Sequence, residues 1–230
     1  RQVGPFETLK GTGLHEVLIF RDHGRDFYDF SKEEIAEIFR IYQKCYLATL
    51  DSGSRKYTLI FHNHGAQAGA SVQHPHSQII SIPILPPDVE RSISGSENFY
   101  RKHGRKVYDV MLEWELNEKK RIVYENENFL VFCPFVSKTE YEVRIFPKES
   151  HAHFEKMPEE FFADLGDAFS ATFKKIGIAL DKPDYNFFIH TSPIDSSSAK
   201  THDFYSWHIE IIPKVASVGA FELASGMEIN

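Results

Sequence analysis

Two segments of the chain repeat one order of predicted elements: a strand, a helix and two further strands. Both predicted helices carry an apolar stripe at helical spacing, and both begin at a recognisable helix-start signal. An internal repeat of this size predicts two related halves. The first half has strands over residues 16–20, 57–61 and 79–85 and a helix over residues 31–50, and the second has strands over residues 142–146, 186–190 and 207–212 and a helix over residues 158–180.

A polar pentapeptide, His74-Pro75-His76-Ser77-Gln78, lies just before the last predicted strand of the first half. In extended backbone, residues two apart point to the same side, so His74, His76 and Gln78 share one face. Pro75 lacks a backbone donor, which fits the start of a strand or an edge strand better than a central one. Three polar side chains on one strand face indicate a functional site.

The residues around this motif suit nucleophilic attack on phosphorus. A neutral imidazole nitrogen is a good nucleophile near neutral pH, and a hydrogen bond at the other nitrogen fixes the tautomer. In residues 63–71, glycine and alanine let backbone N–H groups approach an anion, and Asn63 and Ser71 add side-chain donors. An isolated His-x-His pair is more often structural or metal-binding, but this run and Gln78 favour a nucleophile, His76, beside a phosphate site.

Composition excludes some classes of function. The net charge of −7, with no basic stripe, argues against a general nucleic-acid-binding protein, although local donors can still bind a small anion. The longest apolar runs are far shorter than a membrane span. Cys45 and Cys133 are the only cysteines and make no disulfide framework. We therefore expect a cytoplasmic protein with neither nucleic-acid nor membrane partners.

The segment from Asn63 to Pro86 contains Asn-x-Gly, then Gly-x-Ser, then His-Pro-His-x-Gln. It resembles the galactose-1-phosphate uridylyltransferases, members of the histidine-triad superfamily. Segments 16–23, 207–213 and 219–223 extend the resemblance over essentially the whole chain. The resemblance implies an α+β fold of tandem histidine-triad-like halves, with antiparallel sheets and helices packed on one face.

The resemblance also implies how the chain is divided. We expect a first half at residues 1–86, whose N-terminal part is missing from this sequence, a connecting segment at residues 87–125 and a second half at residues 126–230. The first half is expected to be the catalytic copy.

Aligning the halves explains why the first is expected to carry the chemistry. His76 aligns with His208, while His74 falls opposite Ser206, so only the first half keeps both histidines. Glu210 stands in the second half where Gln78 stands in the first. A carboxylate cannot replace an imidazole nucleophile, so the second half is expected to be structural or substrate-binding.

The reaction that the resemblance implies is a two-step nucleotidyl transfer of the UDP-glucose:hexose-1-phosphate uridylyltransferase type. His76 attacks the α-phosphorus of a nucleotide sugar, a hexose 1-phosphate leaves, and a second hexose 1-phosphate then takes the nucleotidyl group from the histidine. The backbone carbonyl of His74 holds the other ring nitrogen, and Gln78 hydrogen-bonds the phosphoryl group. The other implied substrate-binding residues are Asn63, Gly69, Ala70 and Ser71 at the phosphates and Phe221 and Glu222 at the hexose.

Other reactions fit the same residues. Water as the acceptor would make the chain a histidine-triad hydrolase, and inorganic phosphate would make it a phosphorylase of ADP-sugars or dinucleotides. A non-catalytic nucleotide-binding module is an alternative of a different class. The tandem halves and a glutamine in place of the third histidine favour transfer over hydrolysis. Phosphorolysis, the base and the sugar stay open, as do the roles of His190 and Glu210.

The resemblance implies one structural zinc at most. Relatives bind this zinc with a Cys-x-x-Cys pair and two histidines, which fall on His23 and His74 here. No Cys-x-x-Cys occurs in the 230 residues, so the site is expected to be incomplete in this segment. No second metal is expected, because most of the residues at its positions are poor ligands. These residues are Lys106, Asp109, Ser150 and Ser206.

The partners implied by the resemblance are a nucleotide sugar, a hexose 1-phosphate and a second copy of the chain. Relatives are homodimers in which each active site takes residues from the other subunit. We expect the strand that carries His76 to lie near that boundary as an edge strand, because Pro75 interrupts its ladder.

Overall fold

A computed structural model describes residues 2–50, 57–193, 202–216, 219–225 and 227. The strands are β1 (Gln2–Val3), β2 (Phe6–Glu7), β3 (Leu14–Ile19), β4 (Tyr57–His64), β5 (His76–Ile82), β6 (Ile122–Glu125), β7 (Phe129–Phe132), β8 (Val143–Pro147), β9 (Tyr185–His190) and β10 (His208–Pro213). The helices are α1 (Lys32–Leu50), α2 (Pro87–His103), α3 (Val107–Glu118), α4 (Phe161–Leu180) and α5 (Ala220–Ser225), with 3-10 turns at Ala66–Ala68 and Phe154–Lys156.

Eight strands form one sheet in the order β3-β5-β4-β9-β10-β8-β7-β6, and every neighbouring pair in it is antiparallel. The order β3-β5-β4 on one side of the centre recurs as β8-β10-β9 on the other. This confirms the predicted α+β fold and shows that the two halves share a continuous sheet, joined by β4 and β9. The division at residues 86 and 125 stays a prediction.

Helices α1 and α4 pack against each other and against one face of the sheet. Their apolar sides join alternate strand residues in a core that includes Phe39, Phe169 and Ile79, all fully buried. Gly166 of α4 permits the close approach, because a Cβ there would lie 2.3 Å from the carbonyl oxygen of Lys32. Burying one large apolar side chain contributes about 1.5–3 kcal/mol, so this core provides much of the folding free energy.

Helices α1 and α4 of the two halves share one face, as expected, but α2 and α3, from the predicted connecting segment, pack against the opposite face. Val89 of α2 and Leu112 of α3 join Leu130 and Phe132 of β7 in a second apolar cluster. Over β3 and β5 this face carries exposed and half-exposed side chains, so it is accessible there. We call it the open face. None of the described helices is long and apolar enough to cross a membrane.

Two elements begin three residues away from their predicted starts. Strand β5 begins at His76 and ends at Ile82, earlier than the strand predicted over residues 79–85, because Pro83 has no N–H to continue the ladder. Helix α4 begins at Phe161 rather than at residue 158. The preceding residues form a turn in which the Phe161 N–H donates to the Pro158 carbonyl at 3.1 Å.

The expectation that the His76 strand is an edge strand is wrong. Strand β5 lies between β3 and β4, and β3 is the edge strand. Pro75 precedes the first paired residue of β5, and its carbonyl accepts a hydrogen bond from the Phe20 N–H at 3.0 Å. Phe20 lies opposite Pro75 when the β3–β5 register is continued by one residue, and proline cannot return a bond to the Phe20 carbonyl. His74 Nε2 lies 2.6 Å from that oxygen and takes the place of the missing donor, so Pro75 marks the start of the strand.

Candidate active site

His76 is the first residue of β5, and its half-buried side chain lies on the open face. Its Nδ1 lies 2.8 Å from the backbone carbonyl oxygen of His74. Because a carbonyl oxygen only accepts hydrogen bonds, Nδ1 must carry the proton in this contact. In the neutral imidazole the other ring nitrogen, Nε2, then carries the lone pair. This is the tautomer that a nucleophile attacking through Nε2 requires.

Gln78 follows His76 on the same face, and its Oε1 lies 3.0 Å from Nε2 of His15 on the edge strand. With His15 donating to that oxygen, the Gln78 amino group is left for another acceptor. His15 was not among the predicted site residues, because strand periodicity places it on one face of β3 but does not show that β3 lies beside β5. His15 alternates with Glu16 in β3, and side chains of neighbouring strands at matching positions share a face.

Asn63 lies on β4, beside the motif. Phe61 stands opposite Gln78 in the β4–β5 register, so continuing that register by two residues brings Asn63 level with His76. On its other side Asn63 pairs with Asn186 of β9, whose Nδ2 donates to Asn63 Oδ1 at 2.7 Å. The sheet thus brings three predicted site residues together on neighbouring positions of the open face. Asn186 was not predicted to take part.

The small-residue run between β4 and β5 folds into a compact turn. The Gly69 N–H donates to the Ala66 carbonyl at 3.1 Å, and the Ala70 N–H to the Gly65 carbonyl at 3.0 Å. The Gln67 N–H donates to Asp184 Oδ2 at 2.8 Å. These three backbone groups are therefore already used. The N–H groups of Gly69 and Ala70 therefore do not donate to a ligand, and these two residues keep only the predicted role of letting a phosphate approach the backbone closely. The side-chain amides of Asn63 and Gln78 are available as donors.

The core side of the same strands carries a buried polar network. Ser77 Oγ lies 2.5 Å from the Tyr42 hydroxyl and 3.0 Å from Nδ1 of His62. The His62 ring stacks against Phe20 and Phe187, and its Nε2 is buried without a partner among the described residues. Burial lowers the pKa of His62 to about 3, so its imidazole is neutral near neutral pH.

His23 and His74 lie next to each other, with ring centroids 4.1 Å apart. His74 Nε2 lies 2.6 Å from the carbonyl oxygen of Phe20, which leaves its Nδ1 for a metal. Histidine ligands usually donate their second N–H to a carbonyl or carboxylate in this way. The two histidines therefore fit half of a tetrahedral zinc site. Cys45 and Cys133 are free thiols elsewhere in the fold.

The second half repeats the histidine geometry with different neighbours. His208 Nδ1 lies 3.1 Å from the carbonyl oxygen of Ser206, as His76 does from that of His74. Burial lowers the pKa of His208 well below its ordinary value. His190, His208 and Glu210 bring possible ligand atoms within 4.8 Å of one another, but the Arg144 guanidinium also lies 3.4 Å from Glu210.

Glu210 is charged in this setting. Burial raises the pKa of its carboxyl, but the hydrogen bond from His190 and the nearby positive charges outweigh burial and lower it to about 2. The second half therefore holds a buried imidazole beside an ion pair, where the first half holds an accessible imidazole beside an amide.

Three of the four positions associated with a second metal are linked by hydrogen bonds. Lys106 Nζ donates to the Ser150 carbonyl at 2.9 Å, and Ser150 Oγ donates to the Asp109 carboxylate. Lys106 thereby ties the start of α3 to the segment after β8. Ser206 is buried, and its hydroxyl donates to the Trp207 carbonyl at 3.3 Å.

The remaining predicted substrate residues are Ser71, Phe221 and Glu222, and none of the contacts described above involves them. Ser71 is an exposed loop residue between the turn and β5. Phe221 lies on α5 with its side chain 49% exposed. The backbone of Glu222 belongs to the same helix, but its side chain lies outside the described residues. The roles given to these three residues stay predictions.

Known proteins resemble this chain in sequence and in overall structure. Residues 4–86 match the family described as galactose-1-phosphate uridyl transferase, N-terminal domain. A crystal structure of an ADP-glucose phosphorylase from Arabidopsis thaliana with bound ADP-glucose is 30% identical, with a TM-score of 0.87 over 97% of this chain and 71% of that one. The chain belongs to the galactose-1-phosphate uridylyltransferase family.

The relatives of this chain include enzymes with two different names. Over its full length the chain is 30% identical to an ADP-glucose phosphorylase from A. thaliana, and over 93% of its length it is 28% identical to a galactose-1-phosphate uridylyltransferase from Thermotoga maritima. It spans 64% and 66% of the lengths of these two relatives.

Proposed function

We propose that this protein is a nucleotidyltransferase that works through a covalent nucleotidyl-histidine at His76. Nε2 of His76 attacks the α-phosphorus of a nucleotide sugar, the bond from that phosphorus to the bridging oxygen breaks, and a hexose 1-phosphate leaves with the bonding electrons. The observation that carries this proposal is the 2.8 Å contact of His76 Nδ1 with the His74 carbonyl. In the neutral imidazole that contact places the proton on Nδ1 and the lone pair on Nε2, and it holds the proton that the cationic adduct keeps.

Two amides support the same step. The oxygen of Gln78 is held by His15 and the oxygen of Asn63 by Asn186, so both amino groups are available to an anion. Donors held in place before the reaction stabilise charge that develops on the phosphoryl oxygens without a reorganisation cost. Each hydrogen bond to a charged group contributes roughly 1.5–3 kcal/mol.

The acceptor in the second step distinguishes two reactions. We propose a hexose 1-phosphate as in the uridylyltransferases, so that the nucleotidyl group moves between two hexose 1-phosphates. Inorganic phosphate is the second candidate, and the full-length similarity to an ADP-glucose phosphorylase specifically favours it. The same adduct serves both reactions, because only the attacking oxygen differs.

The proposal extends to a structural zinc, an oligomeric state and a metabolic role. We propose that His23 and His74 supply two ligands of one structural zinc, completed by residues outside this segment, which would tie the segment after β3 to the start of β5. We further propose a homodimer and a role in galactose or related carbohydrate metabolism. The free thiols of Cys45 and Cys133 suit a reducing compartment such as the cytoplasm.

An assay with two donors, two acceptors and a control without acceptor tests the proposal. UDP-glucose or ADP-glucose labelled at the α-phosphorus is incubated with galactose 1-phosphate, inorganic phosphate or neither. We expect one donor to give acceptor-dependent product, and His76→Ala to lose at least about a thousandfold of that activity while keeping its fold. An alanine variant that keeps more than about a tenth of the activity would exclude a nucleophilic His76, and product formed without either acceptor would indicate a hydrolase.

A further inference from the structure

The amide of Asn186 has an orientation that its contacts determine. Its Nδ2 lies 2.8 Å from the backbone carbonyl oxygen of Ala68 and 2.7 Å from Oδ1 of Asn63. The Ala68 oxygen can only accept, so the Asn186 group that faces it must be the amino group. That amino group also faces Asn63, and Asn63 must therefore present its oxygen. The Ala68 carbonyl thus fixes the rotamer of Asn63 through Asn186.

This arrangement decides which end of Asn63 an incoming phosphate meets. With its oxygen held by Asn186, Asn63 keeps both amino hydrogens for other acceptors, and it has no other hydrogen-bond partner among the described residues. The reversed amide would turn a carbonyl oxygen toward the phosphate, where like partial charges repel. Asn63 lies level with His76, so its orientation bears directly on the phosphoryl site.

A second contact joins the turn to the same end of β9. Asp184 accepts the Gln67 N–H at 2.8 Å, while Asn186 donates to the Ala68 carbonyl. The turn between β4 and β5 is therefore held at two successive residues by the second half of the chain. Both holding residues are half-buried, so their contacts with the turn are partly shielded from water.

We infer that Asn186 is a positioning residue of the phosphoryl site, acting through Asn63. The inference rests on the proposed function, since it gives Asn186 the task of orienting a donor to the transferred phosphoryl group. It also gives the second half, which lacks the paired histidines, a defined part in the chemistry of the first.

The test is a double-mutant cycle between Asn186 and Asn63. In Asn186→Asp the carboxylate cannot donate, so Asn63 turns its amino group toward residue 186 and its oxygen toward the phosphate. We expect kcat/KM and the affinity for UDP or ADP, measured by calorimetry, to fall roughly tenfold to a hundredfold. In the Asn63→Ala background the same change should cost no more than about twofold, because its target is gone.

Two further variants separate positioning from folding. Asn186→Ala releases Asn63 without reversing its amide, so the loss of kcat/KM should be smaller than in Asn186→Asp. The alanine variant replaces Asn186→Asp in the test if the aspartate variant does not fold. Asn126→Asp is the matched control, because Asn126, in the turn between β6 and β7, also donates to a backbone carbonyl, that of Asp164 at 2.8 Å. It should lower stability and leave the kinetic constants unchanged.

The outcomes distinguish this inference from the proposed function. If the losses from Asn186→Asp and Asn63→Ala multiply, or if Asn126→Asp has the same kinetic effect, Asn186 is only structural. Covalent labelling of the wild type without coupling between the two residues overturns this inference alone. Coupling in nucleotide affinity without any covalent label overturns the proposed transfer and leaves the inference standing, whereas a wild type that binds neither nucleotide overturns both.

Discussion

Local surroundings set the chemical state of two histidines on β4 and β5. The His74 carbonyl fixes the proton of His76 on Nδ1, and burial keeps His62 neutral on the other side of the same pair of strands. The first effect prepares a nucleophile. The second has a cost, because the folded state loses stability once the pH is low enough to protonate this imidazole in the unfolded chain.

The free energy of unfolding should depend on pH through the protonation of His62. The unfolded imidazole has a pKa near 6.5, whereas burial lowers the folded pKa to about 3. Between these values the unfolded state binds a proton that the folded state excludes, so the unfolding free energy falls as the pH falls. This contribution should amount to about 2 kcal/mol between about pH 7 and pH 5. It is fully present above the unfolded pKa and is lost progressively below it.

Urea unfolding at several pH values checks this expectation. The stability of His62→Gln should fall less steeply with decreasing pH than that of the wild type, whatever its stability at neutral pH. His103→Gln, at an exposed residue of α2, is the control and should follow the wild type. Parallel curves for all three proteins would show that His62 does not carry the pH dependence.

At the scale of elements, the turn between β4 and β5 depends on glycine at two positions for different reasons. Gly65 and Gly69 both have positive φ, +82° and +80°. A Cβ on Gly65 would lie 1.8 Å from Asp184 Oδ1, whereas one on Gly69 would meet nothing within 4 Å. Gly69→Ala should therefore cost only the backbone strain, about 1–2 kcal/mol, and Gly65→Ala more, because Asp184 must also move.

Thermal or urea unfolding of the two alanine variants measures this difference. Adding Asp184→Ala to Gly65→Ala should recover part of the loss, since the clash disappears although the strain remains. The same addition to Gly69→Ala should only destabilise further, because it removes the acceptor of the Gln67 N–H. Equal costs for the two glycine variants would contradict the close approach of Asp184.

Local patterns predicted the strands and helices of the two repeats but not β6 and β7, and the sequence could not predict how residues from distant segments meet. Periodicity and helix-start signals found the helices that became α1 and α4, and the His-x-His spacing placed His76 and Gln78 on one face. The contacts of His15 with Gln78 and of Asn186 with Asn63 join residues 63 and 123 positions apart. They depend on strand order, which no local pattern determines.

At the scale of the whole molecule, the two halves form one folding unit. Strands β4 and β9 pair across the centre of the sheet, and α1 and α4 share one apolar core. We therefore expect one cooperative unfolding transition despite the internal repeat, with equal calorimetric and van't Hoff enthalpies. Differential scanning calorimetry measures both. Two resolved transitions would mean that the halves unfold separately and that the shared core does not couple them.

The covalent intermediate is the central claim, and a rapid-quench experiment without an acceptor tests it most directly. When enzyme is mixed with its nucleotide sugar alone, we expect a burst of about one hexose 1-phosphate per active chain, matched by an α-phosphorus label that peptide mapping places on His76. His76→Ala should give neither burst nor label. Hexose 1-phosphate release that waits for the acceptor, with no label on the protein, would mean direct displacement and would contradict the mechanism.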